Sequence, residues 1–142
     1  MGALFLPPMP ENPPVIAIVD DEPRMRAALS RLLRARGYGV VSFEDGAALF
    51  DAPNVQAFGC ILLDLHMPGI NGFAVLETLA GRATHPPVIV ITGHDQPGNA
   101  ERLERLGARA YLTKPVDEVP LLHAIETVLG SSSAAVRAPH ST

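Results

Sequence analysis

The sequence predicts an α/β protein in which a parallel sheet is covered by helices on both faces. Two segments, Cys60 to Leu63 and Val88 to Ile91, are continuously apolar, which is typical of parallel strands buried on both sides. Short apolar runs alternate with segments of helical periodicity five times along the chain. Strands that alternate with helices indicate repeated βα units, so we predict a doubly wound sheet.

Five strands are predicted from short runs of apolar and β-branched residues. They are Val15 to Asp20, Gly39 to Phe43, Cys60 to Asp64, Val88 to Ile91 and Ala110 to Leu112. Crossovers between parallel strands are right-handed, which makes one strand order the most economical. We therefore predict a flavodoxin-like (βα)5 sandwich with a five-stranded parallel sheet of order 2-1-3-4-5.

Five helices are predicted between and after these strands. The first begins at Pro23 and carries Met25, Ala28, Leu29, Leu32 and Leu33 on one face, until Gly37 ends it. The others are predicted over Asp45 to Ala52, Gly72 to Ala80, Gly98 to Leu106 with an end at Gly107, and Asp117 to Leu129.

The length of 142 residues fits one domain. Residues 1–14 contain five prolines and are predicted to be a flexible, extended leader. The folded domain is predicted to span 15–130. Gly130 and the serines after it indicate a helix stop, followed by a flexible tail over 131–142.

Charge and cysteine content exclude several classes of protein. With 11 Lys+Arg against 15 Asp+Glu, the net charge of -4 gives no basic surface for direct binding of nucleic acid. No apolar stretch reaches the length of about 18 residues that a membrane span needs. Cys60 is the single cysteine, which excludes an internal disulfide and favours a reducing, cytoplasmic location.

Polar side chains follow the predicted strands where a doubly wound sheet binds its ligands, at the carboxyl ends of the strands. These residues are Asp20 and Asp21 after the first strand, Asp64 after the third, Thr92 after the fourth and Lys114 after the fifth. Three clustered carboxylates repel one another unless a cation neutralises them. Carboxylates combined with water and phosphate oxygens favour Mg²⁺ over Ca²⁺.

A single lysine completes this predicted site. Lys114 stands alone beside ten arginines, and its compact ammonium suits one phosphoryl oxygen better than a guanidinium fork would. An ammonium opposite a metal ion, with the Thr92 hydroxyl between them, could hold the three peripheral oxygens of a phosphoryl group in transfer. The residues therefore predict phosphoryl transfer onto Asp64.

Four motifs in order resemble the receiver domain of two-component response regulators over about Val15 to Leu129. They are Val-Asp-Asp-Glu at 19 to 22, Leu-Leu-Asp-Leu-His-Met-Pro-Gly at 62 to 69 with Asn71-Gly72, Ile-Thr-Gly-His at 91 to 94, and Tyr-Leu-Thr-Lys-Pro at 111 to 115. Thr92-Gly93-His94 resembles the FixJ-like branch of that family.

The resemblance implies a role for each site residue. Asp64 would be the phosphoacceptor, with Asp20, Asp21 and the backbone carbonyl of His66 around Mg²⁺. Thr92 and Lys114 would contact the phosphoryl oxygens, and Lys114 would be aimed by a cis peptide before Pro115. Tyr111 would change rotamer as Thr92 moves, although a half-buried aromatic at that position is equally typical of a structural wall.

The resemblance also implies partners. A sensor histidine kinase or a histidine phosphotransfer protein would supply the phosphoryl group. The fourth helix, fifth strand and fifth helix would form the output face, which would contact an output protein or a second copy in a homodimer. The domain would catalyse only its own phosphorylation and dephosphorylation.

Two other functions stay open at this point. The chain could be the receiver part of a longer DNA-binding transcription regulator. It could also be a Mg²⁺-dependent phosphatase with an aspartyl-phosphate intermediate, although such haloacid-dehalogenase-type enzymes need an acid where His66 stands.

Two histidines occupy matching positions near the site. His66 lies two residues after Asp64, and His94 lies two residues after Thr92. Their side chains are predicted to be either ordinary loop residues or groups that tune dephosphorylation. In the second case the rate should depend on pH between about 5.5 and 8, because histidine changes charge in that range.

Overall fold

A computed structural model describes residues 13–134. The strands are β1 Val15–Val19, β2 Gly39–Phe43, β3 Cys60–Asp64, β4 Val88–Thr92 and β5 Ala110–Thr113. The helices are α1 Pro23–Ala35, α2 Gly46–Asp51, α3 Gly72–Ala80, α4 Asn99–Arg105 and α5 Glu118–Ala134. A short 3-10 helix over Val55–Ala57, which the sequence did not predict, precedes β3.

All strand pairs are parallel, and the sheet order is β2-β1-β3-β4-β5. This confirms the predicted flavodoxin-like sandwich. β1 pairs with β2 on one side and with β3 on the other. The order in which strands are added to the sheet therefore reverses after β2, and the later strands lie on the other side of β1. The carboxyl ends of β1 and β3 border the crevice that such a reversal creates.

Two hydrophobic clusters cover the two faces of the sheet. On one face α1 and α5 contribute Leu33 and Ile125, both fully buried. On the other face α2, α3 and α4 contribute Leu49, Leu76 and Leu103. The β3 and β4 strands are buried along their whole length, as their continuous apolar runs predicted.

Local sequence signals begin and end the helices. Pro23 stands in the first turn of α1. The side chain of Asp45 accepts a hydrogen bond from the Ala48 N–H at the start of α2 at 2.8 Å. Gly37 and Gly107 have φ of +92° and +98°, a conformation that favours glycine after a helix. Both glycines follow the helices that they were predicted to end, although α4 spans Asn99–Arg105 rather than Gly98 to Leu106, because those two residues are its caps.

Several predicted boundaries are corrected by the structure. The first strand ends at Val19 rather than Asp20. The β4 and β5 strands each run one residue further than predicted, because Thr92 and Thr113 pair with each other.

The fifth helix also differs from its prediction. It begins at Glu118 rather than Asp117 and continues to Ala134, so the predicted stop at Gly130 is wrong. Gly130 does not adopt the positive φ that ends a helix at Gly37 and Gly107. The domain limits at 15 and 130 stay predictions, and the leader and tail lie largely in 1–12 and 135–142, outside the described residues.

Within residues 13–134, no helix combines the length and the apolar character that crossing a membrane requires.

Candidate functional site

The structure brings the predicted acidic residues together at the carboxyl ends of β1 and β3. Asp20 directly follows β1 and Asp64 ends β3, and their exposed fractions are only 3% and 4%. Asp21 is exposed beside them. One oxygen from each of these three carboxylates lies within 4.8 Å of the others, so the predicted cluster exists.

Backbone contacts hold both buried carboxylates in place. The Asp20 N–H donates to the Phe43 carbonyl at 3.1 Å, which extends the pairing of β1 and β2 by one residue. The Asp20 Oδ1 accepts from the Glu22 N–H at 2.9 Å. The Asp64 Oδ1 accepts from the His66 N–H at 3.3 Å. Each carboxylate is therefore oriented by the chain that follows it.

Gly72 allows α3 to begin directly against the end of β3. Its N–H donates to the Leu65 carbonyl at 2.9 Å. A Cβ atom at this position would lie 2.7 Å from Leu65 Cα and 2.9 Å from the Asp64 carbonyl oxygen. Only glycine fits this approach without displacement of the backbone.

The surroundings of Asp64 disfavour the negatively charged form of its carboxyl group. Burial raises the pKa of Asp64 from its ordinary value of 3.8 to about 6, and repulsion from Asp20 adds to this rise. Lys114 and the hydrogen bond from the His66 N–H act in the opposite direction but do not cancel it. A site of this kind would be stabilised by a divalent cation, and its all-oxygen donors fit Mg²⁺.

Lys114, which directly follows β5, contacts two carboxylates of the acid cluster. Its Nζ lies 3.3 Å from Asp20 Oδ2 and 3.7 Å from Asp64 Oδ1. Burial alone would lower the pKa of Lys114, but the two carboxylates outweigh burial and raise it, so the ammonium stays charged. The peptide between Lys114 and Pro115 is cis, as the resemblance implied.

Thr92 is fully buried at the end of β4. Its Oγ1 accepts a hydrogen bond from the His94 N–H at 3.1 Å and donates to the His94 carbonyl at 3.3 Å. The Thr92 carbonyl accepts from the Lys114 N–H at 2.7 Å. Thr92 is thus hydrogen-bonded both to the backbone of Lys114 and to the backbone of His94 in the following loop.

The two histidines lie at the mouth of the site. The ring centroids of His66 and His94 are 5.1 Å apart with an edge-to-face geometry. Both side chains line a cleft of about 470 Å³ together with Asp64 and Lys114. The remaining lining residues are Asp21, Glu22, Pro23 and Gly93. Both imidazoles therefore border the cleft that contains Asp64.

Tyr111 is not part of the acid cluster. It is half-buried on β5, and its hydroxyl donates to Asp95 Oδ1 at 2.7 Å. Sequence reasoning did not single out Asp95, because a loop carboxylate three residues after a strand carries no distinguishing pattern. Its partner becomes evident only from the loop conformation.

The comparisons with known proteins agree with this geometry. The family model described as the response regulator receiver domain matches residues 16–126. This chain belongs to the receiver domain family. Asp20, Asp64, Thr92 and Lys114 lie within the matched residues, and receiver domains generally bind Mg²⁺ at an acidic pocket.

Related receiver domains occur both inside longer regulators and as nearly whole proteins. The transcriptional regulatory protein FixJ of Azorhizobium caulinodans is 38% identical over 88% of this chain and 59% of its own length. Protein PilH of Pseudomonas aeruginosa is 39% identical over 80% of this chain and 96% of its own length. The chain thus spans somewhat more than half of the FixJ relative.

A solved structure confirms the fold of this receiver domain. The structure of FixJ-N is 31% identical, and it superposes with a TM-score of 0.75 over 86% of this chain and 96% of its own. The receiver family is a signalling family rather than a family of classical enzymes.

Proposed function

We propose that this receiver domain is a phosphorylation-dependent switch that accepts a phosphoryl group on Asp64 from a histidine kinase or a histidine phosphotransfer protein. The observation that carries the proposal is the position of the buried Asp64 carboxylate. Its Oδ1 lies 3.7 Å from the Nζ of Lys114, the single lysine of the chain, and one of its oxygens lies within 4.8 Å of two further carboxylates. Family membership favours this function over the phosphatase alternative.

The chemistry of the step follows from the residues around Asp64. A carboxylate oxygen of Asp64 attacks phosphorus in line, an acyl-phosphate O–P bond forms, and the bond from phosphorus to the donor nitrogen breaks with its electron pair on that nitrogen. Lys114 holds one phosphoryl oxygen, and the Thr92 hydroxyl donates to another. Both groups stabilise the negative charge on the phosphoryl oxygens in the transition state of the transfer.

The donor set fits Mg²⁺ at this site. Asp21 and Asp64 would bind the ion directly with the backbone carbonyl of His66, while Asp20 would stand behind them and also hold Lys114 at 3.3 Å. When bound, Mg²⁺ supplies neutralisation of charge on the carboxylates and the phosphoryl oxygens. The raised pKa of Asp64 supports this assignment, since a cation would restore its charged form.

We assign the output surface of the domain to α4, β5 and α5. An output protein or a second copy of the domain would bind there after Thr92 and Tyr111 rearrange. FixJ is a transcriptional regulator by its name, which supports an alternative in which this domain controls a DNA-binding part. We place the domain itself in the cytoplasm, without direct contact to nucleic acid or membrane.

His66 and His94 are proposed to tune the lifetime of the phosphoryl group. Their ring contact and their place in the lining of the cleft support this role, because both border the space from which water reaches Asp64. The predicted dependence of dephosphorylation on pH between about 5.5 and 8 stays a prediction for this pair. Replacement of both by alanine should flatten that dependence.

Acetyl phosphate and Mg²⁺ test the proposed function directly. Wild-type protein should gain one hydroxylamine-sensitive phosphoryl group, measured by intact mass, and Asp64→Asn should gain none. Asp51→Asn is the matched control, because Asp51 is an exposed aspartate at the end of α2. Equal labelling of Asp64→Asn and wild type would show that the site assignment is wrong.

A further inference from the structure

The loop between β4 and α4 connects the two residues of the proposed switch. At its start, Thr92 Oγ1 exchanges two hydrogen bonds with the backbone of His94. One residue further, Asp95 Oδ1 accepts the hydrogen bond from the Tyr111 hydroxyl at 2.7 Å. Asn99, the first residue of α4, donates from Nδ2 to the His94 carbonyl at 3.5 Å. The loop therefore contacts Thr92, Tyr111 and α4 together.

Thr92 and Tyr111 lie on the same face of the sheet. The register places Val90 opposite Tyr111 and Thr92 opposite Thr113, and side chains two residues apart on a strand share a face. A groove of about 220 Å³ between α4 and β5 is lined in part by Tyr111. The ring therefore has space to move when its hydroxyl is released.

We infer that Asp95 positions Tyr111 in the unphosphorylated protein and transmits a movement of Thr92 to it. The inference rests on the proposed function, because it requires the Thr92 hydroxyl to follow a phosphoryl oxygen. That hydroxyl has one proton, so it cannot donate fully to a phosphoryl oxygen and to the His94 carbonyl at once. Its departure loosens His94 and the adjacent Asp95, and Tyr111 loses a fixed acceptor.

The strength of the Asp95–Tyr111 hydrogen bond suits such a role. Asp95 is exposed, and a hydrogen bond of ordinary net strength shifts an equilibrium by about two- to tenfold. This is enough to favour one position of Tyr111 and weak enough for phosphorylation to overcome. Asp95 is thus a positioning residue that never contacts the phosphoryl group.

Carbon-13 NMR of the tyrosine Cζ atoms tests the positioning. The chain contains two tyrosines, so labelled protein gives two signals, and Tyr38→Phe assigns them. Asp95→Ala should move the Tyr111 signal toward that of tyrosine in a short peptide and leave the Tyr38 signal unchanged. Asp95→Asn, which keeps a neutral acceptor, should give a smaller shift. Asp51→Ala, the loss of a distant exposed carboxylate, should shift neither signal.

Phosphorylation tests the transmission. In wild-type protein treated with acetyl phosphate and Mg²⁺, the Tyr111 signal should move in the same direction as in Asp95→Ala. The Asp95→Ala variant should accept phosphate about two- to tenfold faster than wild type, because its resting conformation is less favoured. A purely structural role of Asp95 would not increase that rate.

The outcomes separate this inference from the proposed function. Incorporation of phosphate is measured by intact mass; failure of that step contradicts the proposed function, while the unphosphorylated spectra still decide whether Asp95 positions Tyr111. An unchanged Tyr111 signal in Asp95→Ala overturns the positioning. A Tyr111 signal that stays unchanged on full phosphorylation of wild type overturns the transmission.

Discussion

Asp64 carries its charge where burial and a neighbouring carboxylate both oppose it. Its pKa of about 6 lies above the ordinary 3.8, so the folded protein binds more protons than the unfolded chain between these values. The contribution of Asp64 to the free energy of unfolding therefore falls as pH rises through that window. The same repulsion makes the carboxylate responsive to a cation or to an electrophilic phosphorus. The ionised Asp64 carboxylate that makes the site reactive therefore lowers the stability of the folded protein.

We predict that Asp64→Asn stabilises the protein above pH 6 and has little effect near pH 4. The neutral amide removes the ionisation cost but can still accept from the His66 N–H, and Lys114 keeps Asp20 as a partner. The rise in the pKa of Asp64 from 3.8 to about 6 corresponds to about 3 kcal/mol. Urea denaturation at several pH values measures it, with Asp51→Asn as control. A variant less stable than wild type at pH 7 would contradict the prediction.

Lys114 provides a second prediction about a single side chain. Lys114→Arg keeps the positive charge but replaces a compact ammonium with a broad guanidinium in a half-buried position between two carboxylates. We expect phosphorylation by acetyl phosphate to slow by about tenfold or more, in line with the loss of a positioned electrostatic contact. Arg109→Lys is the control, because Arg109 is an exposed residue that directly precedes the start of β5. Equal rates for Lys114→Arg and wild type would show that charge alone is sufficient.

At the level of secondary structure, the contact between β3 and α3 sets the position of Asp64. Gly72→Ala would force a methyl group to 2.7 Å from Leu65 Cα, so either α3 or the end of β3 must shift. We predict a loss of about 1–3 kcal/mol in the free energy of unfolding and slower phosphorylation, because Asp64 moves with the strand. Urea denaturation and acetyl phosphate labelling measure these effects.

Gly81 offers a matched control for that substitution. It lies just after the same helix with a φ of −77°, and a Cβ atom there would meet nothing closer than the Thr78 carbonyl at 3.5 Å. Gly81→Ala should be neutral or stabilise the protein by up to about 1 kcal/mol, because alanine restricts the unfolded chain. Equal losses in both variants would show that the close approach at Gly72 is unimportant.

The elements differ in how well the sequence predicts them. The third helix matches its predicted range because Asn71 caps its start, accepting from the Ala74 N–H at 3.0 Å. Helix α5 extends beyond Gly130 because Gly130 does not take the positive φ that Gly37 and Gly107 take after α1 and α4, and sequence does not reveal φ. The 3-10 helix Val55–Ala57 is too short for any periodicity to indicate it.

For the whole molecule, topology accounts for most of the candidate site. Asp20, Asp64, Thr92 and Lys114 are far apart in sequence, but each follows or ends a parallel strand, so a doubly wound sheet brings them together. The role of Asp95 could not be predicted in this way, because its hydrogen bond to Tyr111 depends on the path of a loop. Loop conformation has no periodic signal in sequence.

Thr92→Ala tests whether the site and the output face communicate across the molecule. The buried hydroxyl is the proposed link to the loop before α4, while Asp64 and Lys114 do not need it to meet. We predict that the variant still accepts phosphate but loses most of the amide NMR shifts that phosphorylation produces in α4 and β5. Thr113→Ala, which removes the exposed threonine paired with Thr92, is the control. Wild-type shifts in fully phosphorylated Thr92→Ala would exclude Thr92 from the switch, since no hydroxyl would remain to follow the phosphoryl group.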